Sequence, residues 1–380
     1  MKKSKILATL LTAAMLVVCF AGSAFATETF KIGGIGPLTG GAAIYGTAAM
    51  NGAQIAVDEI NALGGDIQFE FKAEDDVHDA ETSVNAYNNL MDWGMQLLCG
   101  TVTTTPCVAV SAETNADRVF EMTPSASSEA VIEGKDNVFQ VCFTDPNQGI
   151  ASADYMAENY ASEAIAIIYK NDDAYSQGIR ETFVSEAAAK GLNVVYEGTF
   201  TEDTQTDFSV QLTAAKDAGA TLVFLPMYYQ PASIIFAQAK AMDYAPIWFG
   251  VDGMDGILTM EGFDTSLAEG VMLLTPFSAD AQDERTQTFV QTYVEKYGET
   301  PNQFAADGYD VIYVMYEAIQ AAGITADMST VDICEAMIAA VTSISVDGIT
   351  GSGMTWDETG AVSKAPMAVV IKDGAYVLPE

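Results

Sequence analysis

Short apolar runs alternate with helical stretches along most of this chain, and that alternation restricts its fold more than any other feature. "FKIGGIG" reads as a strand, and "YGTAAMNGAQIAVDEINALGG" carries Met50, Ala53, Ala56, Val57 and Ile60 at helical spacing before stopping at Gly64 and Gly65. "IQFEFKA" is a second strand, with Ile67, Phe69 and Phe71 on one face and Gln68, Glu70 and Lys72 on the other. A helix over about 79–93 leads into the apolar "MQLLCG". The rhythm restarts after "FQVCFTDPNQG", where a strand near 138–143 meets Asp145 and Pro146, residues suited to opening a helix. "AIAIIYKN", "LNVVYEGTF", "TLVFLPM" and "APIWFG" are further strands, interleaved with helical stretches such as 177–190 and 231–242. Their lack of polar alternation marks parallel strands covered on both faces. The expected class is α/β. At 380 residues the chain exceeds what one hydrophobic core holds, so two doubly wound, Rossmann-like lobes are predicted.

The C-terminal part departs from the pattern. Helices are expected over about 281–297, 302–322 and 330–341, then a hairpin at "MTWDETGAVS" and two strands in "APMAVVIKDGAYVLPE" joined at Asp373 and Gly374. No flexible linker separates the halves, which predicts closely connected lobes.

The first 26 residues read as a unit of their own. Lys2, Lys3 and Lys5 precede an apolar run over 6–20, and "SAFA" places Ala24 and Ala26 at a small-residue cleavage site, the signature of a secretory signal. A lipid anchor at Cys19 in "LVVC" is the competing reading, disfavoured by Val18 where a small residue belongs. No other run reaches the roughly 18 apolar residues of a membrane span. Cleavage removes three lysines and no acids, taking the formal charge from −36 to −39. Such a field repels nucleic acid and anionic membranes. Cys99, Cys107, Cys142 and Cys334 show no C-x-x-C spacing and are expected as buried thiols.

Enzyme motifs fail one by one. "GGIGPLTGG" has Thr39 where a dinucleotide loop needs its third glycine, has Pro37 inside the turn, and lacks the G-K-[ST] of a phosphate loop. It is better read as a glycine-rich strand end that lets something small approach the backbone. His78 is the sole histidine, which excludes multi-histidine metal sites, and it is expected as a surface residue beside "EDDV". No G-x-S-x-G elbow occurs. Acid pairs such as Asp75–Asp76 and Asp172–Asp173 read as loop or helix-start residues in a chain with 52 acids. No metal or cofactor is expected.

Small hydroxyls and tyrosines instead cluster at strand ends. "CGTVTTTP" sets Thr101, Thr103, Thr104 and Thr105 between a strand and a helical stretch, where hydroxyls and free N–H groups can hold a carboxylate. "TPSASS" repeats the arrangement. In the second half Tyr175, Tyr228, Tyr229 and Asp252 each follow a strand. Together they describe a cleft for a small zwitterion, with the acid taking an ammonium and the hydroxyls a carboxylate.

In these landmarks, "IGGIGPLTGGAAIYGTAAMNGAQIAVDEINALGG", "EDDVHDAETSV", "TPSASSEAV", "AIIYKNDDAYSQG" and "MTWDETG", the chain resembles the leucine/isoleucine/valine-binding, type I periplasmic solute-binding proteins of ABC importers. The resemblance implies two lobes on a three-crossing hinge, with 28–144 plus about 276–364 in lobe 1 and 145–275 plus about 365–380 in lobe 2. It implies a monomeric, non-catalytic receptor that captures a free amino acid outside the membrane and delivers it to permease subunits. It puts Thr104 on the ligand carboxylate, Ala126 and Ser127 on carboxylate and amine, Tyr45, Tyr175 and Tyr228 around the pocket, and Asp252 on the amine, where branched-chain binders commonly have glutamate. Members with a disulfide near the cleft have cysteines at the positions of His78 and Thr103. The same fold binding an amide, urea-like or aromatic carboxylate ligand is the alternative, and an exported α/β hydrolase the third.

Overall fold

The computed structural model describes residues 28–379; the apolar leader, with Cys19 and the "SAFA" site, lies outside them. Strand β1 (Glu28–Gly36) buries Phe30, Ile32 and Ile35 completely and pairs in parallel with β2 (Ile67–Asp75) on one side and β3 (Leu97–Cys99) on the other. Two further parallel strands, β4 (Phe120–Thr123) and β5 (Val138–Gln140), complete a sheet of order β2-β1-β3-β4-β5. Its connections are α1 (Ala43–Ala62), α2 (Ala80–Trp93), α3 (Thr104–Asp117) and the single turn α4 (Glu129–Ile132). Helix α2 shows why the local sequence folds as it does. Asp79 caps its start by accepting the Thr82 N–H at 2.8 Å, and Gly94 ends it in the left-handed conformation.

Helix α5 (Asp145–Asn159) opens the second lobe, with Thr144 as its cap and Pro146 in its first turn. There β6 (Ala164–Lys170), α6 (Ala174–Lys190), β7 (Asn193–Phe200), α7 (Ser209–Asp217), β8 (Leu222–Leu225), α8 (Tyr229–Ala241), β9 (Ile247–Gly250) and β10 (Met272–Thr275) follow in turn. The strand order β7-β6-β8-β9-β10 repeats the winding of the first sheet. Both sheets therefore have a switch point beside their first strand, where open α/β sheets form a crevice.

After β10 the chain returns to the first lobe. Helices α9 (Glu284–Tyr297) and α10 (Gln303–Ala322) pack against α1, and α11 (Thr330–Val341) packs against β4. The α1–α10 crossing brings backbone onto backbone. A Cβ on Gly52 would sit 1.8 Å from the Ala305 carbonyl oxygen, and one on Gly308 would sit 2.1 Å from that of Ala49, so each helix needs glycine there. The chain then crosses back a third time to β11 (Met367–Lys372) and β12 (Ala375–Val377), antiparallel additions beside β10. Antiparallel bridges Val346–Met354 and Trp356–Val362 mark the turns before that crossing.

Two local expectations are corrected. The glycines of "GGIGP" do not leave the backbone open. A Cβ on Gly33 would meet Met95 Sδ at 2.2 Å, on Gly34 Met50 Sδ at 2.5 Å, and on Gly36 Val102 Cγ2 at 2.6 Å, so the close approach is made by the lobe's own core. His78 is not a surface residue. It is half-buried, hydrogen-bonded through Nδ1 to Thr103 Oγ1 at 2.8 Å and edge-on to Tyr228 at 5.7 Å between centroids. The four cysteines among the described residues are buried free thiols, as expected, and burial alone pushes Cys99 up to about 12.

Candidate functional site

The two switch points face each other, and the residues at the strand ends meet between them. Tyr175, near the start of α6, donates its phenol proton to Asp252 Oδ1 at 2.5 Å and accepts the Gly253 N–H at 3.0 Å. Its ring lies flat on Tyr228, with centroids 4.7 Å apart and planes within 6°. From the first lobe Tyr45 reaches across, donating to the Gly253 carbonyl at 2.5 Å and accepting the Tyr229 N–H at 3.0 Å. Its ring packs on those of Tyr228, Tyr229 and Phe304. Tyr229 returns a bond to the Gly41 carbonyl at 2.7 Å, so the lobes are drawn closed.

Asp252 opens a short 3-10 turn, Asp252–Met254, that follows β9. Its backbone is gripped from both sides: the Asp252 N–H donates to Gln148 Oε1 at 3.2 Å, and Gln303 Nε2 donates to its carbonyl at 2.8 Å. Its side chain accepts from Tyr175 and from the Gly253 N–H. Burial pushes the carboxyl up to about 6 despite those donors.

A narrow cavity of about 10 Å³ lies inside this constellation, lined by Tyr45, Thr103, Thr104, Tyr175, Tyr228 and Asp252 among others. Five of the seven residues singled out from the sequence therefore converge on one point. Thr104 is the first residue of α3, and its cap Thr103 makes no capping bond of its own because its hydroxyl is turned to His78. The other two stand behind the cavity, where Ser125 is the lining residue of the "TPSASS" stretch. Ala126 has both backbone groups engaged, its N–H on Thr123 Oγ1 at 2.9 Å and its carbonyl on Gln140 Nε2 at 2.7 Å. Ser127 is fully buried, and its hydroxyl has no hydrogen bond of normal geometry.

Beside Ser127 the structure adds a residue that the sequence hid. Asp145 is 1% exposed, its carboxylate makes no hydrogen bond of normal geometry and has the Ser127 hydroxyl as its nearby donor, and its N–H donates to the Ser127 carbonyl at 2.9 Å. Burial holds its carboxyl well above the ordinary range against the opposing pull of the Ser127 hydroxyl, with Asp252 and Asp173 adding repulsion. In the sequence Asp145 looked like a helix-opening residue, which it also is; only its burial distinguishes it. Gln148 and Gln303 were equally hidden, because their partners lie 104 and 51 residues away. A wider cavity of about 630 Å³ continues outward from Tyr45 and Tyr228 between the lobes. Clustered buried acids, hydroxyls and stacked aromatic rings suit a small ligand with a cationic nitrogen. Among the described residues no group of histidine, cysteine or carboxylate side chains has a metal-binding arrangement.

Two doubly wound lobes joined by three crossings and closed over a polar aromatic cleft define a bilobal solute-binding protein. Residues 29–375 match the periplasmic binding protein family, and the chain belongs to that family. It is 27% identical over 327 residues to the leucine-, isoleucine-, valine-, threonine- and alanine-binding protein of Pseudomonas aeruginosa, covering 85% of this chain and 86% of the relative. It is 25% identical to the Leu/Ile/Val-binding protein of Escherichia coli K12 over 92% of both chains. Among solved structures it superposes on the Streptococcus pneumoniae LivJ substrate-binding protein in complex with isoleucine with a TM-score of 0.81, at 26% identity over 93% of this chain and all of that one. A benzoate-bound solute-binding protein of R. palustris shares the fold with a TM-score of 0.81, at 20% identity over 92% of this chain and 95% of that one.

Proposed function

We propose that this chain is the extracytoplasmic receptor of an ABC importer, a monomer that captures a free amino acid between its lobes and passes it to permease subunits. The observation that carries this reading is the buried carboxylate of Asp252, held by Tyr175 inside a cavity whose opposite wall is the start of α3. Asp252 takes the ligand ammonium, with Asp145 close by to share its charge. Thr104, the N-terminus of α3 and the Ser127 hydroxyl take the carboxylate. Ala126 supports Ser127 from a backbone already fixed by Thr123 and Gln140, and Tyr45, Tyr175 and Tyr228 close around the ligand. Closure desolvates both charged ends, so each needs a fixed partner. The relatives' names, which specify leucine, isoleucine and valine, support an amino acid as the ligand class. A leader removed on export and a lobe division near residues 144, 275 and 364 complete the reading.

The aromatic-carboxylate alternative is weaker on chemical grounds. Benzoate brings a negative charge and no ammonium to a site that already buries Asp145 and Asp252. A thermal-shift screen of amino acids against benzoates, amides and urea separates the readings, since a ligand stabilises according to its concentration over Kd. Stabilisation by amino acids alone is expected. Stabilisation by benzoate or urea alone would overturn the proposal.

A further inference from the structure

The wider cavity beyond Tyr45 and Tyr228 is where a ligand anchored at Asp252 would place its side chain. An aliphatic side chain calls for an apolar sleeve. Here the second-lobe wall is mixed: Phe200, Met227 and Pro231 line it, but so do Lys170, Asp172, Asp173 and Glu202, with Gln205 and Gln230 alongside. Lys170 offers no free positive charge, because its ammonium is paired with Glu202. His78, on the opposite wall, is kept neutral by burial and by the nearby Lys170 charge. Asp172 accepts the Glu202 N–H at 3.0 Å. That leaves Asp173, 4% exposed, as the acid with capacity to spare. Its carboxylate accepts the Ser176 N–H at 3.2 Å and also faces the Tyr175 N–H at the start of α6, with the Lys170 charge nearby, and no side chain donates a hydrogen bond to it.

We propose that the cleft selects an amino acid whose side chain ends in a nitrogen donor, an ammonium, guanidinium or carboxamide, received by Asp173 on this acidic wall. The inference rests on the amino-acid reading above and refines it. A nitrogen donor reaching Asp173 adds a charge-assisted bond to a buried acid that otherwise has only backbone N–H donors, a bond that a leucine side chain has no group to make.

Calorimetric titration of the purified protein with L-leucine, L-isoleucine, L-valine, L-glutamine, L-lysine and L-arginine tests it. The best nitrogen-ended ligand should bind at least about tenfold more tightly than leucine. Asp173→Asn keeps a helix-capping side chain while removing the charge, and should erase most of that advantage with leucine affinity unchanged, which also certifies that the variant is folded. Asp252→Asn should weaken all six ligands alike. If the aliphatic amino acids bind as tightly as the others, or if Asp173→Asn leaves the preference intact, the side-chain assignment falls and the amino-acid reading stands. If none of the six binds, both fall together.

Discussion

Tyr175 hydrogen-bonds Asp252 at 2.5 Å while its ring stacks on Tyr228 at 4.7 Å, so one side chain both orients the buried acid and forms a wall of the cavity. The two roles separate in Tyr175→Phe, which keeps the ring and loses the donor. A hydrogen bond to a charged group contributes about 1.5–3 kcal/mol, so ligand affinity should fall about 10- to 100-fold at neutral pH. The tyrosine also holds the Asp252 carboxyl down against burial, which even so leaves it at about 6. Only the ionised form pairs with an ammonium. Affinity of the wild type should therefore decline as pH falls through about 6, and in Tyr175→Phe that decline should begin at higher pH. Titrations between pH 5 and 8 read both effects.

Tyr45 links the lobes through two hydrogen bonds, one to Gly253 and one from Tyr229. Tyr45→Phe removes both and strands a buried N–H, at a cost of about 1–3 kcal/mol to the closed arrangement. Small-angle scattering with and without saturating ligand should show a more open average shape for the unliganded variant than for the unliganded wild type. Identical profiles would mean that closure does not depend on this phenol.

Glu121, fully buried in β4, accepts from Thr114 Oγ1 at 2.6 Å and Cys107 Sγ at 3.3 Å, and burial raises its carboxyl to about 7. Its folded value lies above its unfolded one, so the fold binds a proton that the unfolded chain has released. Stability from this group is present below the unfolded value of about 4.3 and is lost as pH rises toward 7, by about 4 kcal/mol in total. The wild type should therefore melt at lower temperature at pH 7.5 than at pH 5.5, and Glu121→Gln should show a smaller difference. An unchanged pH slope in the variant would show that Glu121 is not the titrating group.

The parallel strands and the antiparallel tail were legible in the sequence because both depend on local pattern. Apolar runs without alternation announced the sheets, and Asp373–Gly374 announced the turn between β11 and β12. The strand-end positions of Tyr175, Tyr228 and Asp252 were legible for the same reason. Their mutual geometry was not: Tyr175 and Asp252 are 77 residues apart, Tyr45 and Gly253 are 208, and nothing in local spacing reports such pairs. His78 was misread because "EDDV" looks solvated, whereas Tyr228 and Thr103 from distant segments enclose its ring. The resemblance put Ala126 among the ligand contacts, but no local signal told that its N–H and carbonyl would be bonded to Thr123 and Gln140. Asp145 looked like one acid among many, and only the folded chain shows that its carboxylate is buried beside the Ser127 hydroxyl.

The central claim is that Asp252 receives the ammonium of an amino acid closed between the lobes. Calorimetry of wild type and Asp252→Asn with the best-binding amino acid tests it most directly. The account predicts one ligand per chain for the wild type and an affinity about 10- to 1,000-fold weaker for the variant, from a lost charge-assisted bond plus the desolvation left uncompensated. Equal affinities for the two proteins would contradict it.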